Sequence, residues 1–330
     1  MSQATTTTTT TSESSKVVLV MLATGKQGAG VVRALAKLND ESASNGSPTD
    51  PIPWTILAQT RDASSTKSRA LAALRGVRLA EGSADAPEAL FDAASPAQVY
   101  AVYSVQLGLD NPRGLEGEVA QAKRLADVAA ARGVRHFIYA GGNFGAEAEG
   151  SGATYVPHLQ TKRTMEEYLR SAHPTLPTTV LRPVTFMDQL VQGDPASVTS
   201  KVTKIMFLCQ LRPSTRLQFV AASDVGAVAA LALQRPETYI GRAVDVAGDA
   251  LTPGELESGW REVFGEELRP NMFGGSALSW AVKNATKDLR LMFKFFNEVG
   301  YNADVAACRE IYPEMKDWKT FLRTEVQRLS

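Results

Sequence analysis

The sequence predicts an α/β protein in which a doubly wound parallel sheet is followed by a smaller, mostly helical C-terminal lobe. Three observations carry that reading. Strand-like and helix-like stretches alternate from Val17 to Pro183. The strand-like stretches are continuous apolar runs, as expected of strands covered by helices on both faces. The first of them, in "VVLVMLATGKQGAGVVRALAKL", runs into a glycine-rich turn and then a helical apolar pattern.

Residues 17–21 are the first strand and 28–38 its helix. The segment 39–53, "NDESASNGSPTDPIP", is rich in Ser, Pro and Asp and reads as a loop. "WTILAQTR" (54–61) is the second strand, and "STKSRALAALRG" is a helix closed by Gly76. "VRLAEGS" is the third strand, with a short helix near 87–94, and 98–105 is the fourth. "GLEGEVAQAKRLADVAAARG" is an amphipathic helix ending at Gly133. Residues 135–142 form the fifth strand, 158–170 a helix and 178–183 the sixth strand.

Beyond 184 the rhythm changes. "RLQFVAASDVGAVAALAL" and "AVDVAGDALTPGELESGW" each give a strand and then a helix. The second of those helices opens on Thr252-Pro253-Gly254-Glu255, a capping box with proline at the first helical position. "ALSWAVKNATKDLRLMFKFFNEVG" reads as one long helical stretch. The expected organisation is therefore a disordered Thr/Ser-rich tail over 1–15, a nucleotide-binding domain over 16–183, and a smaller substrate or partner lobe over 184–330. Within that lobe, 216–248 is expected to return to the main sheet. The lobe should pack over the carboxyl ends of the strands, where open α/β sheets bind ligands.

Composition excludes several classes. Lys and Arg total 35, as do Asp and Glu, so there is no broad positive field for nucleic acid. The two cysteines have no ligand-like spacing, and the three histidines lie on separate segments, so neither a disulfide framework nor a metal site is expected. No signal or transit peptide is recognisable and no apolar run approaches the ~18 residues of a membrane span. A cytoplasmic protein, with nuclear entry open, is the expectation. Neither G-x-S-x-G nor a Walker A pattern occurs.

Strand, glycine turn and helix in that order form the dinucleotide-binding arrangement of a Rossmann sheet. The turn "LATGKQG" keeps two of the three glycines. Gly25 would admit the pyrophosphate to the backbone and Gly28 would let the helix pack on the strand. Leu22 occupies the first position. A leucine is tolerated there if its backbone holds a negative φ, although its side chain crowds the diphosphate. At the end of the second strand Arg61 stands where NAD-preferring proteins place an acid, which favours a 2′-phosphate and hence NADP(H), with Lys67 assisting; NAD(H) remains an alternative.

Together "VVLVMLATGKQGAGVVRAL", "TILAQTRD", "HLQTKRTMEEYL", "TVLRPVTFMDQL", "GRAVDVAGDALTP" and "FFNEVGYNADVAACREIYPE" resemble the NmrA-like family of atypical short-chain dehydrogenase/reductases over about 16–325. The family's turn is G-A-T-G-x-x-G, from which Leu22 departs. The resemblance implies NAD(P) binding by Thr24, Gly25, Lys26, Gln27, Gly28, Arg61, Lys162 and Pro183, Val184, Thr185 and Phe186. It also implies two modes of life: reductases, and regulators or redox sensors that hold the cofactor and signal through protein contacts.

Typical short-chain reductases place Y-x-x-x-K on a helix, so that lysine reaches both ribose and tyrosine and lowers the tyrosine pKa. Here the spacing is His158-x-x-x-Lys162, and the strand-end serine is replaced within Ala140, Gly141 and Gly142. In one reading His158, or Tyr155 three residues earlier, donates a proton while NADPH reduces a quinone, activated alkene or carbonyl. In the other the catalytic set has decayed and Lys162 only holds ribose. The second leads, because a lost oxyanion-type donor costs about 10²–10³ in rate. The expected partners are thus a dinucleotide with either a protein or a small hydride acceptor, and neither nucleic acid nor membrane.

Overall fold

The computed structural model describes residues 15–45, 53–108, 111–145, 154–191, 198–268, 275–285 and 287–326. The Thr-rich tail and most of the loop before the second strand lie outside them.

Seven strands form the main sheet in the order β3–β2–β1–β4–β5–β6–β9. They are β1 (Lys16–Val20), β2 (Trp54–Thr60), β3 (Val77–Glu81), β4 (Val99–Ser104), β5 (His136–Ala140), β6 (Thr178–Pro183) and β9 (Ala243–Val246). Every neighbouring pair is parallel. The helices α1 (Lys26–Asn45), α2 (Thr66–Ala72), α3 (Pro87–Asp92), α4 (Gly114–Ala131) and α5 (Pro157–Ala172) alternate with these strands. The expected Rossmann-like α/β fold is what the chain adopts. Its strand order reverses direction between β1 and β4, which opens a crevice at their carboxyl ends.

One element departs from the sequence reading in length. The helix of the first unit continues to Asn45, through residues expected to be loop. The cause is Asn39, fully buried, whose amide donates to the carbonyls of Trp54 and Arg75 while its oxygen accepts the Trp54 N–H at 3.0 Å. That side chain ties the helix to the start of β2 and keeps the backbone helical where composition alone suggests a break.

The C-terminal half does not lie apart from the sheet. The helix α7 (Ala222–Gln234) packs backbone to backbone on α1: a Cβ on Gly226 would fall 2.3 Å from the Gly30 carbonyl carbon, and one on Gly30 2.7 Å from the Ala222 oxygen. Within 216–248, α7 and β9 therefore join the main layer. The strand β8 (Leu217–Val220) departs from that expectation. It pairs in parallel with β7 (Thr185–Phe186) and antiparallel with β10 (Asp249–Leu251), forming a second, three-stranded sheet.

The remaining helices α6 (Val198–Gln210), α9 (Pro253–Phe264), α10 (Gly275–Ala285), α11 (Lys287–Glu298), α12 (Val305–Ile311) and α13 (Trp318–Phe321) build the helical C-terminal region, with the short α8 (Pro236–Tyr239) preceding β9. The segment read as one long helical stretch contains α10 and α11, and residue 286 between them lies outside the described residues. The Thr252–Glu255 capping box is formed, and α9 closes on Gly265 at φ 72°. This region has its own core, in which Phe207 stacks on Phe296 and both meet Phe293 edge-on, beside Phe219 and Trp260. Among the described residues no helix is long and apolar enough to cross a membrane.

Candidate functional site

The glycine turn sits at the carboxyl end of β1, between β2 and β4. Leu22 is held at φ 46°, in the left-handed region, and not at the negative φ set as the condition for leucine there. The turn keeps the backbone path of a glycine despite the side chain, and hydrogen bonds to Gln59 and within the turn hold it. The Leu22 N–H donates to Gln59 Oε1 at 2.8 Å and the Gly25 N–H to the Leu22 carbonyl at 2.8 Å. Gln59, 1% exposed, also donates from Nε2 to the Gly82 carbonyl at 2.7 Å, so it clamps the turn to the ends of β2 and β3. A left-handed non-glycine residue costs about 1–2 kcal/mol. Leu22→Gly is accordingly expected to raise stability by about 1 kcal/mol after allowing for the freer unfolded chain. Urea denaturation checks this, and a destabilised variant would mean that the leucine side chain contributes more packing than its backbone loses.

Gly28 has no room for a side chain: a Cβ would lie 2.3 Å from the Leu22 carbonyl oxygen. The first amides of the long α1 therefore stand directly behind the turn, where their unshared N–H groups and the helix dipole favour an anion. Gly25 is exposed on this face and Thr24 half-buried. Gln27 accepts from the buried Tyr103 hydroxyl at 3.1 Å, which fixes its side chain against β4. Lys26 is exposed as a residue, yet its ammonium is hemmed in enough that desolvation lowers its pKa, with Asp188 opposing and Lys67 adding to the shift.

Lys26 and Lys67 are thus brought together, and Lys67 and Arg61 are both exposed at the β2–α2 connection. The adjacent acid, Asp62, is occupied locally. Its carboxylate accepts the Ser64 hydroxyl and N–H at 2.6 and 2.8 Å, and these bonds hold its pKa below the ordinary value.

The segment 183–186 forms the opposite wall. Pro183, Val184 and Thr185 are buried, Phe186 is half-buried, and the Thr185 hydroxyl lies 3.3 Å from the Tyr301 hydroxyl. Lys26 Nζ donates to the Asp188 carbonyl at 2.8 Å, and so joins turn and wall directly.

On α5 each member of the His158-x-x-x-Lys162 pair meets a carboxylate from another element. Lys162 Nζ lies 2.6 Å from Glu118 Oε1 of α4, and Glu118 is 2% exposed. The Thr161 hydroxyl donates to the other Glu118 oxygen at 2.9 Å. Asp288, in the first turn of α11, receives both the His158 backbone N–H at 2.9 Å and its Nδ1 at 2.7 Å. The pair assigns the proton to Nδ1 and leaves Nε2 on the far side of the ring. Tyr155 does not join them: it is 40% exposed, with the Lys294 ammonium 5.5 Å from its ring centroid. At the end of β5, a Cβ on Gly142 would lie 3.9 Å from Lys162 Cγ, so the place of a strand-end side chain adjoins the lysine and holds no hydroxyl.

Gln59, Glu118 and Asp288 escaped the sequence reading. Glu118 carried a signal: on α4 it shares the buried stripe of Ala122, Leu125, Ala126 and Ala129, and an acid in an apolar stripe needs a partner. Asp288 carried none, being 130 residues from His158.

Desolvation raises the Asp288 carboxyl pKa, but the bonds and charge of His158 outweigh it and hold it below its ordinary value. Its ionised form therefore stabilises the native chain fully above the unfolded value of about 3.9, and that contribution is lost as pH falls through the folded value. The Tm gap between wild type and Asp288→Asn is expected to be widest near neutral pH and to shrink below about pH 4. A gap independent of pH would show that the ionised carboxylate is not what holds the helices together.

Strand order, glycine turn and the α4–α5 cluster define a Rossmann-like α/β protein with a helical C-terminal region. Residues 14–322 match the model of the NmrA-like family, and the chain belongs to that family. An NmrA-like family domain-containing protein of Dictyostelium discoideum is 25% identical over 294 residues, 86% of this chain and 88% of that protein. Among solved structures, NmrA, a negative transcriptional regulator, in complex with NAD superposes with a TM-score of 0.65 at 17% identity, covering 96% of both chains. Its NADP complex gives 0.63 at the same identity and coverage. The Citrobacter sp. triphenylmethane reductase complexed with NADP(H) gives 0.65 at 18% identity, over 94% of this chain and 99% of that one.

Proposed function

We propose that this chain binds NADP(H) and acts as a cofactor or redox sensor that regulates through protein contacts, in the cytoplasm or nucleus. The observation that carries the reading is the commitment of His158 and Lys162 to carboxylates, beside a strand end without a hydroxyl. A catalytic pair needs groups ready to exchange protons with a substrate. Here the lysine charge is neutralised by an almost fully buried acid, and the histidine ties α5 to α11.

The residues around the turn fit a dinucleotide. The α1 amides behind Gly25 suit a diphosphate, Lys162 a ribose hydroxyl, and Arg61 with Lys67 a 2′-phosphate. The wall of Pro183, Val184, Thr185 and Phe186 suits the nicotinamide end. When bound, the cofactor would supply hydride chemistry; this chain's own groups orient it and enclose it. The NAD and NADP complexes of NmrA and the NADP(H) complex of the triphenylmethane reductase support a nicotinamide dinucleotide.

The reductase reading keeps one specific support. Asp288 fixes His158 Nδ1, which would leave Nε2 as a proton donor to a quinone, activated alkene or carbonyl. The deciding experiment titrates the purified protein calorimetrically with NADP, NADPH, NAD and NADH, then follows NADPH absorbance with such acceptors. Binding without consumption supports the sensor. Consumption abolished by His158→Phe and Lys162→Ala supports the enzyme, and binding of neither NADP nor NAD overturns both. Arg61→Ala is expected to weaken NADP by about tenfold or more while leaving NAD nearly unchanged. An equal loss for both would remove the 2′-phosphate role.

A further inference from the structure

Among the described residues the exposed large hydrophobic side chains are Tyr155, Leu278 and Trp280. Trp280 is 61% exposed, whereas Trp54, Trp260 and Trp318 are buried. Leu278 and Trp280 stand on α10 with the exposed Ala277 and Ala281, and no charged residue occurs over 275–282. The charges begin immediately after. From 275 to 294 the chain carries Lys283, Lys287, Arg290 and Lys294 against one acid, Asp288, which is turned inward onto His158. Lys287, Arg290 and Lys294 are spaced i, i+3, i+7, so they share one face of α11. The other face buries Phe293 and Phe296 in the core.

Some surface cations elsewhere have an acid partner, as in Arg124–Glu88, Arg132–Asp92 and Arg216–Glu255, and on α11 Lys294 pairs with Glu298. Lys283, Lys287 and Arg290 make no ion pair among the described residues. In a chain of zero net charge, these three cations follow the exposed Trp280 within ten residues of sequence. A solvent-exposed Trp and Leu beside uncompensated cations is the composition of a recognition surface: an aromatic anchor with a charged rim. A bilayer fits it less well. An interfacial helix inserts a continuous apolar face, and α11 spends its apolar face on the core.

We propose that α10 and α11 dock an acidic segment of a partner protein, whose large apolar side chain packs on Trp280 while its carboxylates meet Lys287 and Arg290. The proposal deepens the regulator reading and rests on it for biological sense, but its chemistry is tested separately. The full chain would be titrated with a labelled peptide in which Asp and Glu alternate with Leu and Phe. Three comparison probes would be the same peptide with Lys in place of the acids, an acidic peptide with Ser in place of Leu and Phe, and vesicles of mixed phosphatidylserine and phosphatidylcholine.

Binding of the acidic, apolar peptide is expected to be at least about tenfold tighter than that of either control peptide, to weaken with salt, and to blue-shift Trp280 emission. Trp280→Ser and the pair Lys287→Glu with Arg290→Glu are each expected to lose about tenfold or more, with an unchanged circular dichroism spectrum. Equal binding of both charge types, unaltered binding by the variants, or binding to vesicles alone would overturn the proposal. NADP titration of the same variants separates the two readings. Peptide binding by a chain that takes up no dinucleotide sinks the cofactor-sensor reading and leaves this surface standing; dinucleotide binding with no peptide binding does the reverse.

Discussion

Lys162→Met is expected to destabilise the protein by about 3–5 kcal/mol, because among the described residues it leaves the buried Glu118 carboxylate with the Thr161 hydroxyl as its remaining partner. Glu118 is 2% exposed and the Lys162 side chain 16% exposed, so neither end of the pair is well hydrated. The asymmetry of that exposure makes a second expectation. Glu118→Gln leaves a lysine that still touches solvent and keeps an acceptor for Thr161, and should cost less than Lys162→Met. Replacing both residues with Lys162→Met and Glu118→Leu should recover much of the loss, since the cost of a broken buried pair is mostly the charge left behind. Urea denaturation of Lys162→Met, of Glu118→Leu and of the double variant that combines them measures the coupling. Additive losses, within about 0.5 kcal/mol, would mean that the two charges do not sense each other. If Lys162 holds the cofactor ribose as proposed, Lys162→Met should also weaken NADP binding, whereas Glu118→Gln should retain it.

Gly28→Ala is expected to cost about 3 kcal/mol and to weaken NADP binding by tenfold or more. The added methyl would meet the Leu22 carbonyl oxygen at 2.3 Å and the Leu22 carbonyl carbon and Ala23 Cα at 2.8 Å, all backbone atoms. No side chain can rotate away, so α1 must lift off the turn, and its leading amides move with it. Gly254→Ala is the matched control: in the first turn of α9 a Cβ there meets nothing within 4 Å. The control should be neutral or slightly stabilising, as alanine is the better helix former. Thermal denaturation and NADP calorimetry of the two variants test the point. A wild-type Tm for Gly28→Ala would mean that helix and turn are not in the close contact seen here.

The strands and helices of the first half were legible because their code is local. Short apolar-rich runs, glycine at turns and an i, i+4 apolar stripe each depend on neighbours in sequence. So was the capping box of α9, whose four residues contain the whole device. The overlong α1 was not legible, since what extends it is one Asn39 side chain answering backbone groups of Trp54 and Arg75. The same holds for β8. Its pattern reads as a strand, but only the placement of β7 and β10 beside it decides which sheet receives it.

In the candidate site the division is sharper. The glycine turn and the pairing of histidine and lysine one helical turn apart are legible from a few consecutive residues each, and the family from several such segments read together over about 16–325. The tertiary structure alone decided what those groups face. It put Leu22 in a left-handed conformation under Gln59, set Glu118 against Lys162, and brought Asp288 onto His158. The reason is physical: desolvation and electrostatic pairing depend on distance in space, and the partners come from elements separated by tens to over a hundred residues. A motif names the groups that could do chemistry, whereas the packing around it sets which of them are held by other charges.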